Sequence, residues 1–396
     1  MVSIFFYKLR SNIDTISVFI FSCVLFYFII DILSTDIEEH VKQIQKINMN
    51  SATYPPNLLF YFLVNLVSGF SNNIHVLLGS SVLVLSTAMA LKYSVSKYII
   101  SDYFSIFKIS IHPSTLSFVC VSLLFIFPFP DFYFGIDKWY ITKIPPNVWH
   151  NSTTIMVFPF AILLFWKQYK FMVNPLGKDI KKNLFILSIL VLLNVLIKPS
   201  FLFVFIPVTG FFVLLTNWNN GLKTMIIKAF PALIAVFFVG ITYFLIYKFQ
   251  AGSFQTGKSQ VKFDEPFAFY SLIMPLWFFP ISIILSYIFP LLTYFLFIDF
   301  RKDKLTKYLV GMILLGWFIS VFVYESGPRK NHGNFIWQNV ITTYLFYLIA
   351  VAFILKKHIT DSENPLVYKI LQTILSLSVV SGILYLIKTF ITKNYF

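Results

Sequence analysis

Residues 13–33 read IDTISVFIFSCVLFYFIIDIL, a nearly unbroken apolar run that is long enough to cross a lipid bilayer as one helix. Similar runs recur to the end of the chain. Of the 396 residues, 58% are hydrophobic and only 12% are charged, whereas a soluble domain needs about 25% charged residues to cover its surface. The pattern therefore predicts an all-α polytopic membrane protein and excludes a soluble or disordered chain.

The apolar runs predict eleven membrane-spanning helices in a single integral membrane domain over residues 1–396, with no separate soluble domain. The predicted spans are 13–33, 74–91, 114–130, 152–167, 183–197, 200–217, 229–248, 271–298, 305–323, 336–355 and 370–390. The eighth run contains Pro275, Pro280 and Pro290, so we expect a kink or a break in it.

The distribution of lysine and arginine predicts the orientation of the chain. A net charge of +15 would suggest nucleic acid binding in a soluble protein, but here the basic residues are explained by loops that stay in the cytoplasm. The apolar segment 57–70 has only 14 residues, and keeping it outside leaves most Lys and Arg in cytoplasmic loops. We therefore predict an N-terminus inside, a C-terminus outside and no nucleic acid partner.

The first outer loop, residues 34–73, is expected to hold two juxtamembrane amphipathic helices. The apolar face of the first helix consists of Ile37, Val41, Ile44 and Ile47. The polar positions of the second segment also fall on one helical face, and they are Asn57, Tyr61, Asn65, Ser68 and Asn72.

Asp36 follows the first span at the start of the first of these helices. One interpretation is structural, because Thr35 and Glu38 have the spacing of a capping box and an acid in the first turn suits the helix dipole. The other is a catalytic base at the mouth of a membrane cavity. Further candidates for an acid or base are Glu39, His40 and Glu325.

Basic residues suited to an anion lie in the outer loop 327–334, which is rich in glycine. Arg329, Lys330 and His332 are the candidates for binding a phosphate, since a tight turn can present them together and the planar fork of arginine matches phosphate oxygens. The alternative is a solvated loop that contacts anionic headgroups. Lys198, at an outer helix junction, is a further phosphate candidate, although snorkelling explains it equally well.

Trp149, His150 and Asn151 open the fourth predicted span at the outer face. An interface tryptophan is usually an anchor and Asn151 suits a helix N-cap, but the three side chains, with Asn334, are also candidates for binding a sugar or acceptor. Neither Cys23 nor Cys120 has metal-binding spacing, and no zinc or phosphate-loop motif occurs, so we expect no metal and no cofactor.

The order of these features resembles the GT-C superfamily of integral membrane glycosyltransferases, which includes protein O-mannosyltransferases and aminoarabinose transferases. The resemblance covers roughly residues 1–95. An apolar helix is followed by TDIEEH at 35–40, and then by YPPNLLFYFL at 54–63. The acidic pair that usually follows the catalytic Asp directly is shifted here to Glu38 and Glu39.

The resemblance implies that a sugar moves from a polyprenyl-phosphate donor to a glycan, lipid or protein acceptor at the outer face of a cell membrane. The composition, rich in Phe, Ile and Lys, fits an AT-rich bacterial genome. Asp36 would be the base, the basic loop would hold the leaving phosphate, and the anomeric centre would invert. Some relatives need a divalent cation, but few acids cluster in this sequence. Membrane lipids are the other expected partners.

Two alternatives to a transferase stay open at this point. One is a polysaccharide polymerase of the O-antigen type, which is also multi-spanning with basic outer loops but usually has a large late outer loop. The other is a flippase or transporter of lipid-linked sugars. Transporters tend to carry charges within their helices, and the predicted spans are nearly free of them.

Overall fold

The computed structural model describes residues 13–249, 259–360 and 365–395, and almost all of them are helical. The α-helices are α1 (Ile13–Ile32), α2 (Asp36–Asn48), α3 (Leu59–Val67), α4 (Ile74–Ile106), α5 (Pro113–Leu123), α6 (Ser152–Val173), α7 (Ile180–Ile197), α8 (Leu202–Asn217), α9 (Leu222–Tyr243), α10 (Tyr270–Ile273), α11 (Phe279–Leu296), α12 (Ile298–Lys302), α13 (Lys304–Phe322), α14 (Trp337–Thr360) and α15 (Pro365–Thr392). The 3-10 turns are Pro199–Phe201, Trp218–Asn220, Leu276–Phe278 and Gly327–His332, and a π-helical turn covers Phe244–Lys248.

Ten helices in the described part of the chain are long and apolar enough to cross a membrane. They are α1, α4, α6, α7, α8, α9, α11, α13, α14 and α15, with their flanking turns where these continue the helix. Each corresponds to one of the eleven runs predicted from the sequence. The chain is thus a helical, multi-pass membrane protein, as its composition predicts.

The third predicted span, 114–130, differs from the prediction. Only Pro113–Leu123 is helical, and 11 residues rise about 16 Å, roughly half of the hydrocarbon core. The chain then runs without regular structure to residue 151, and every residue from 142 to 159 is buried. Protein therefore surrounds the second half of this irregular stretch, whereas Phe132, Tyr133 and Ile136 in its first half are exposed. We call residues 124–151 the inserted segment.

The C-terminal end of α4 also differs from the prediction. The helix has 33 residues and ends at Ile106, whereas the sequence predicted a span over 74–91 followed by a loop. Lys92 therefore lies inside a helix, where it is buried. The expectation that helix interiors are nearly free of charge is wrong at this residue.

The two helices expected in the first outer loop are present as α2 and α3. Helix α2 buries Ile37, Val41 and Ile44, which belong to its predicted apolar face. Helix α3 has only 9 residues, and its inner face includes the buried polar side chain of Asn65. The Nδ2 of Asn65 donates to Asn48 Oδ1 and to Tyr54 Oη, each at 2.6 Å. Its exposed positions are the apolar Phe62, Leu66 and Val67.

Helix α14 is the centre of the bundle, since every residue from Trp337 to Ile354 is buried. The predicted break in the eighth run is confirmed in α11, where Tyr287 leaves helical geometry three residues before Pro290 (φ −121°, ψ 15°). At the end of the bundle that holds α2, strand β1 (Gln260–Lys262) pairs antiparallel with β2 (Tyr324–Ser326).

Candidate active site

Asp36 is the first residue of α2, but it does not cap that helix. The cap is Thr35, whose hydroxyl Oγ1 accepts a hydrogen bond from the N–H of Ile37 at 3.3 Å. The structural role predicted for this sequence therefore belongs to Thr35, as the spacing indicated. The half-buried carboxylate of Asp36 is left for other partners.

The closest partner of that carboxylate is Asn151, which the inserted segment delivers to the start of α6. Its Nδ2 donates to Asp36 Oδ2 at 2.6 Å. Its Oδ1 accepts the backbone N–H of Thr154 at 3.0 Å, so the predicted N-cap at Asn151 is confirmed. The cap fixes the direction of the amide, and the amide in turn holds Asp36.

Lys198 reaches the same amide from the C-terminal end of α7. Its ammonium donates to Asn151 Oδ1 at 3.0 Å and to Thr154 Oγ1 at 2.8 Å, and it lies 4.2 Å from the ring centroid of Trp337. Lys198 was predicted, like the residues of the basic loop, to bind phosphate. The structure places it next to Asn151, the residue that binds Asp36.

Two of the predicted histidines, His40 and His150, contact residues close to Asn151. His40 Nδ1 is 2.5 Å from Ser152 Oγ, and its ring centroid is 5.5 Å from that of Tyr61. His150 Nε2 is 3.5 Å from Tyr140 Oη, and its ring centroid is 4.0 Å from that of Tyr395.

The surroundings of Asp36 favour its charged form. Burial raises the pKa of the carboxyl, but its neighbours lower it by more, so the pKa lies below its ordinary value. These neighbours are His150, Asn151, His40 and Lys198. At neutral pH the side chain is therefore a carboxylate that can accept a proton.

Burial changes the pKa of two basic groups that interact with Asp36, His150 and Lys198. Burial lowers the pKa of His150 to about 4, so its imidazole is neutral at pH 7. Burial also lowers the pKa of Lys198 to about 7, although the charge of Asp36 opposes this shift. Lys198 thus exchanges its proton in the physiological range.

A second polar cluster is built on strand β2. Glu325 is 3% exposed and accepts hydrogen bonds from Tyr247 Oη and Asn334 Nδ2, both at 2.5 Å. Arg329 lies in the following 3-10 turn, with Nη1 3.7 Å from Glu325 Oε1. Glu325, Asn334 and Arg329, all singled out from the sequence, are therefore neighbours.

Tyr61 on α3 connects the two clusters electrostatically. Burial raises the pKa of its phenol, the charge of Arg329 lowers it, and the charge of Asp36 raises it. Both charges therefore act on one phenol. This supports the expectation that Asp36 and Arg329 face a common region, despite their separation in sequence.

The other predicted residues lie outside these two clusters. Lys330 Nζ is 3.8 Å from Glu265 Oε2 on the surface, and Glu39 pairs with Lys42 at 3.0 Å. Trp149 is buried with its ring stacked on Phe127, so it presents no open face to a sugar in this conformation. The side chain of His332 lies outside the part of the chain that the structure describes.

Some site residues were missed by sequence reasoning. Trp337 contacts both Lys198 and His150, and Tyr395 contacts His150 while its hydroxyl accepts the N–H of Trp149 at 3.1 Å. Nothing in the sequence distinguishes these aromatic residues from the many others in the chain.

Within residues 13–249, 259–360 and 365–395, no group of three or more His, Cys, Asp or Glu side chains could hold a metal ion.

Compared with known proteins, the chain matches no family model and no curated protein. The fold and the site define a helical multi-pass membrane protein in which one asparagine at an end of the bundle, Asn151, binds both a carboxylate and a lysine.

Proposed function

We propose that the chain is a membrane glycosyltransferase that moves a sugar from a polyprenyl-phosphate donor to an acceptor hydroxyl at the outer face of a cell membrane. The observation that carries the proposal is the half-buried Asp36 carboxylate, kept charged at the end of a membrane bundle by Asn151 and faced by Lys198. A lipid-linked donor presents its phosphate and sugar at this level, because its tail lies in the bilayer.

The proposed reaction uses two kinds of group. The acceptor oxygen attacks the anomeric carbon while the bond between that carbon and the phosphate oxygen breaks, and the bonding electrons leave with the phosphate. Asp36 takes the proton of the acceptor hydroxyl. Lys198 and Arg329 supply positive charge as the phosphate departs. Attack opposite the leaving group inverts the anomeric centre.

The proposed orientation follows the lysine and arginine distribution. It places α2, α3 and the β1–β2 ribbon outside, with the N-terminus inside and the C-terminus outside. The exposed face of helix α3 is apolar, as expected for a helix that lies in a membrane interface, although this does not distinguish the two sides. The acceptor, whether glycan, lipid or protein, approaches from the same side.

The decisive experiment replaces Asp36 by Asn. Asn is nearly isosteric, and Thr35 remains to cap α2, so the fold should be retained. Because an amide cannot take the hydroxyl proton, transfer should fall by about 10²–10⁴-fold while donor binding changes little. The measurement is sugar transfer from a polyprenyl-phosphate donor by the purified protein.

Glu38→Gln is the matched control, because this substitution also removes one negative charge from the first turn of α2. The side chain of Glu38 pairs with Lys42 on the surface. It should transfer at the wild-type rate. Full transfer by Asp36→Asn would exclude the proposed base.

Lys92 favours a second candidate function, a transporter of lipid-linked sugars, because transporters often carry a charge inside a membrane helix. The two functions differ in what happens to the donor. A transferase breaks the sugar–phosphate bond, whereas a transporter returns an intact lipid-linked sugar on the other side of a vesicle. Passage of intact donor without acceptor glycosylation would favour the transporter.

A further inference from the structure

Lys92 is buried at a depth where a charge is costly. It lies about five turns from the N-terminus of α4 and is 4% exposed. Its ammonium is 3.6 Å from the ring centroid of Phe158 and 3.9 Å from that of Tyr344. Aromatic faces stabilise a cation, but such a residue in a membrane helix usually has a function that retains it.

The hydrogen bond of Lys92 goes to the inserted segment. Its Nζ donates to Asn147 Oδ1 at 2.7 Å. The Nδ2 of Asn147 donates to the carbonyl oxygens of Leu123 and Ile126, both at 2.9 Å. Asn147 therefore joins α4 to the end of the short helix α5, where backbone carbonyls would otherwise lack donors inside the bundle.

Three residues separate Asn147 from Asn151, and the stretch between them is closely packed. Val148, Trp149 and His150 are all buried, and the N–H of Trp149 is bound by Tyr395. Close-packed residues transmit a displacement rather than absorb it. Asn147 and Asn151 are therefore joined by a short, closely packed stretch, while the Asn151 amide is also bound by Thr154 and Lys198.

We propose that Lys92 is a positioning residue for Asp36: by holding Asn147 it fixes residues 147–151 and keeps the Asn151 amide on the carboxylate. The inference rests on the proposed function for the role of Asp36 as the base. Lys92 acts through Asn147 and is separate from the groups assigned to the donor and acceptor.

The protonation of Asp36 reports this arrangement directly. The charged and titratable groups that face it are His40 on α2, His150, Lys198, and the phenols of Tyr61, Tyr140 and Tyr395. Replacing Lys92 removes none of them. Loss of the Asn151 hydrogen bond withdraws a donor from the charged carboxylate, so the pKa of Asp36 should rise.

The experiment measures labelling of Asp36 by an apolar carbodiimide as a function of pH, with the full-length protein in detergent and detection of the modified peptide by mass spectrometry. A carbodiimide requires the protonated carboxyl, so the labelling midpoint follows the Asp36 pKa. The variants are Lys92→Met, Lys92→Arg and Asn147→Leu. Asn147→Leu keeps Lys92 in place but removes the Asn147 amide, including its hydrogen bonds to the carbonyl oxygens of Leu123 and Ile126, so it tests the tie without removing the lysine.

Lys228→Met is the matched control. Lys228 is also a buried lysine, and it donates to the carbonyls of Met172 and Asn174 at 2.7 and 2.8 Å and to Asn217 Oδ1 at 2.8 Å. These contacts lie at the C-terminal end of α6, whereas Asn151 caps its N-terminus. Removing Lys228 perturbs packing without touching the inserted segment.

We expect the labelling midpoint to rise by about one pH unit or more in Lys92→Met and in Asn147→Leu, and to stay near the wild-type value in Lys92→Arg and Lys228→Met. Transfer by Lys92→Met should fall about 10- to 100-fold at neutral pH. If either variant cannot be recovered folded, the other still decides the question.

An unchanged midpoint in the folded variants, or an equal rise in Lys228→Met, would overturn the positioning role. A raised midpoint together with no transfer by the wild-type protein would overturn the proposed function and leave the positioning role in place.

Discussion

The two ends of the Asn151 amide face side chains of opposite charge. Its Nδ2 faces the Asp36 carboxylate at 2.6 Å and its Oδ1 faces the Lys198 ammonium at 3.0 Å. The reversed amide would place oxygen against oxygen and N–H against N–H. The two charged groups therefore fix the orientation of Asn151, and Asn151 keeps them apart as separate acid and base.

The titration of Lys198 gives a prediction about pH. Burial lowers its pKa to about 7, so it loses its proton as the pH rises through that value. If the ammonium holds the donor phosphate, donor affinity should weaken above about pH 7 in the wild-type protein. Lys198→Arg stays charged over this range and should bind the donor with little pH dependence. The measurement is the donor Kd between about pH 6 and 9; a wild-type Kd that is constant over this range would contradict the assignment.

Arg329 gives a second prediction for phosphate binding. Arg329→Ala should weaken donor binding by about 1.5–3 kcal/mol, the range for a hydrogen bond to a charged group. Folding should be retained, because Tyr247 and Asn334 still bind Glu325. Lys262→Ala is the control, since Lys262 is a lysine of the same ribbon whose ion-pair distance to Asp264 is 3.9 Å. Equal donor affinity in the two variants would remove Arg329 from the site.

The sequence singled out most residues of the candidate site but not which of them contact each other. Asp36 and Asn151 were both candidates, yet they are 115 positions apart and no local pattern links them. Lys198 was proposed, like Arg329, as a phosphate-binding residue, with no prediction of its neighbours. It contacts Asn151 because α7 ends beside the start of α6, and such proximity depends on helix packing rather than on sequence spacing.

At the scale of single elements, α4 and the inserted segment show where hydrophobic patterning fails. A lysine in an apolar run predicts the end of a span, so Lys92 was placed in a loop. The helix continues because aromatic rings and an amide from distant segments accommodate the charge. The run 114–130 also looked like a span because it is apolar, but its helix ends at Leu123 and residues 124–130 continue in irregular structure.

The inserted segment also depends on one glycine of α15. A Cβ atom at Gly382 would lie 1.7 Å from the carbonyl oxygen of Phe125, and the neighbouring Phe127 N–H is bound to Ser378 O at 3.0 Å. Gly382→Ala should therefore destabilise the protein by about 1–3 kcal/mol, as expected for overpacking against backbone. Thermal unfolding in detergent measures the change.

Gly240→Ala in α9 is the control for helix propensity, because a Cβ atom there meets nothing within 4 Å. It should leave the protein as stable or slightly more so. If Gly382→Ala were as stable as Gly240→Ala, the close approach of the inserted segment to α15 would be wrong.

At the scale of the whole molecule, each end of the bundle has its own contact between an aspartate and a residue of α6. Asp102 accepts from Lys170 Nζ at 2.7 Å at the C-terminal end of α6, and Asp36 meets Asn151 at its N-terminal end. Composition predicted the membrane class and ten of the spans, because apolar length is a local property. The depth of the inserted segment depends on which helices surround it, and sequence does not encode that locally.

The proposed orientation leads to a labelling prediction. In a background without cysteine, His75→Cys should react with a membrane-impermeant thiol reagent added outside intact cells, because the exposed His75 opens α4 at the end that holds α2 and α3. Lys178→Cys, in the exposed turn before α7, should react only after permeabilisation. Outside labelling at position 178 would reverse the orientation.

The hydrogen bond between Lys92 and Asn147 has a consequence for the order in which segments of the chain enter the membrane. Asn147 is 55 residues further along the chain, so α4 leaves the ribosome and enters the bilayer before the partner of its lysine exists. The helix is about 50 Å long against a hydrocarbon core of about 30 Å, which gives it roughly 20 Å of surplus length. We expect α4 to insert first with Lys92 at the cytoplasmic headgroups, and then to move outward when the nascent chain supplies Asn147. In this expected sequence of events, the surplus length of α4 keeps the bilayer spanned both before and after the movement.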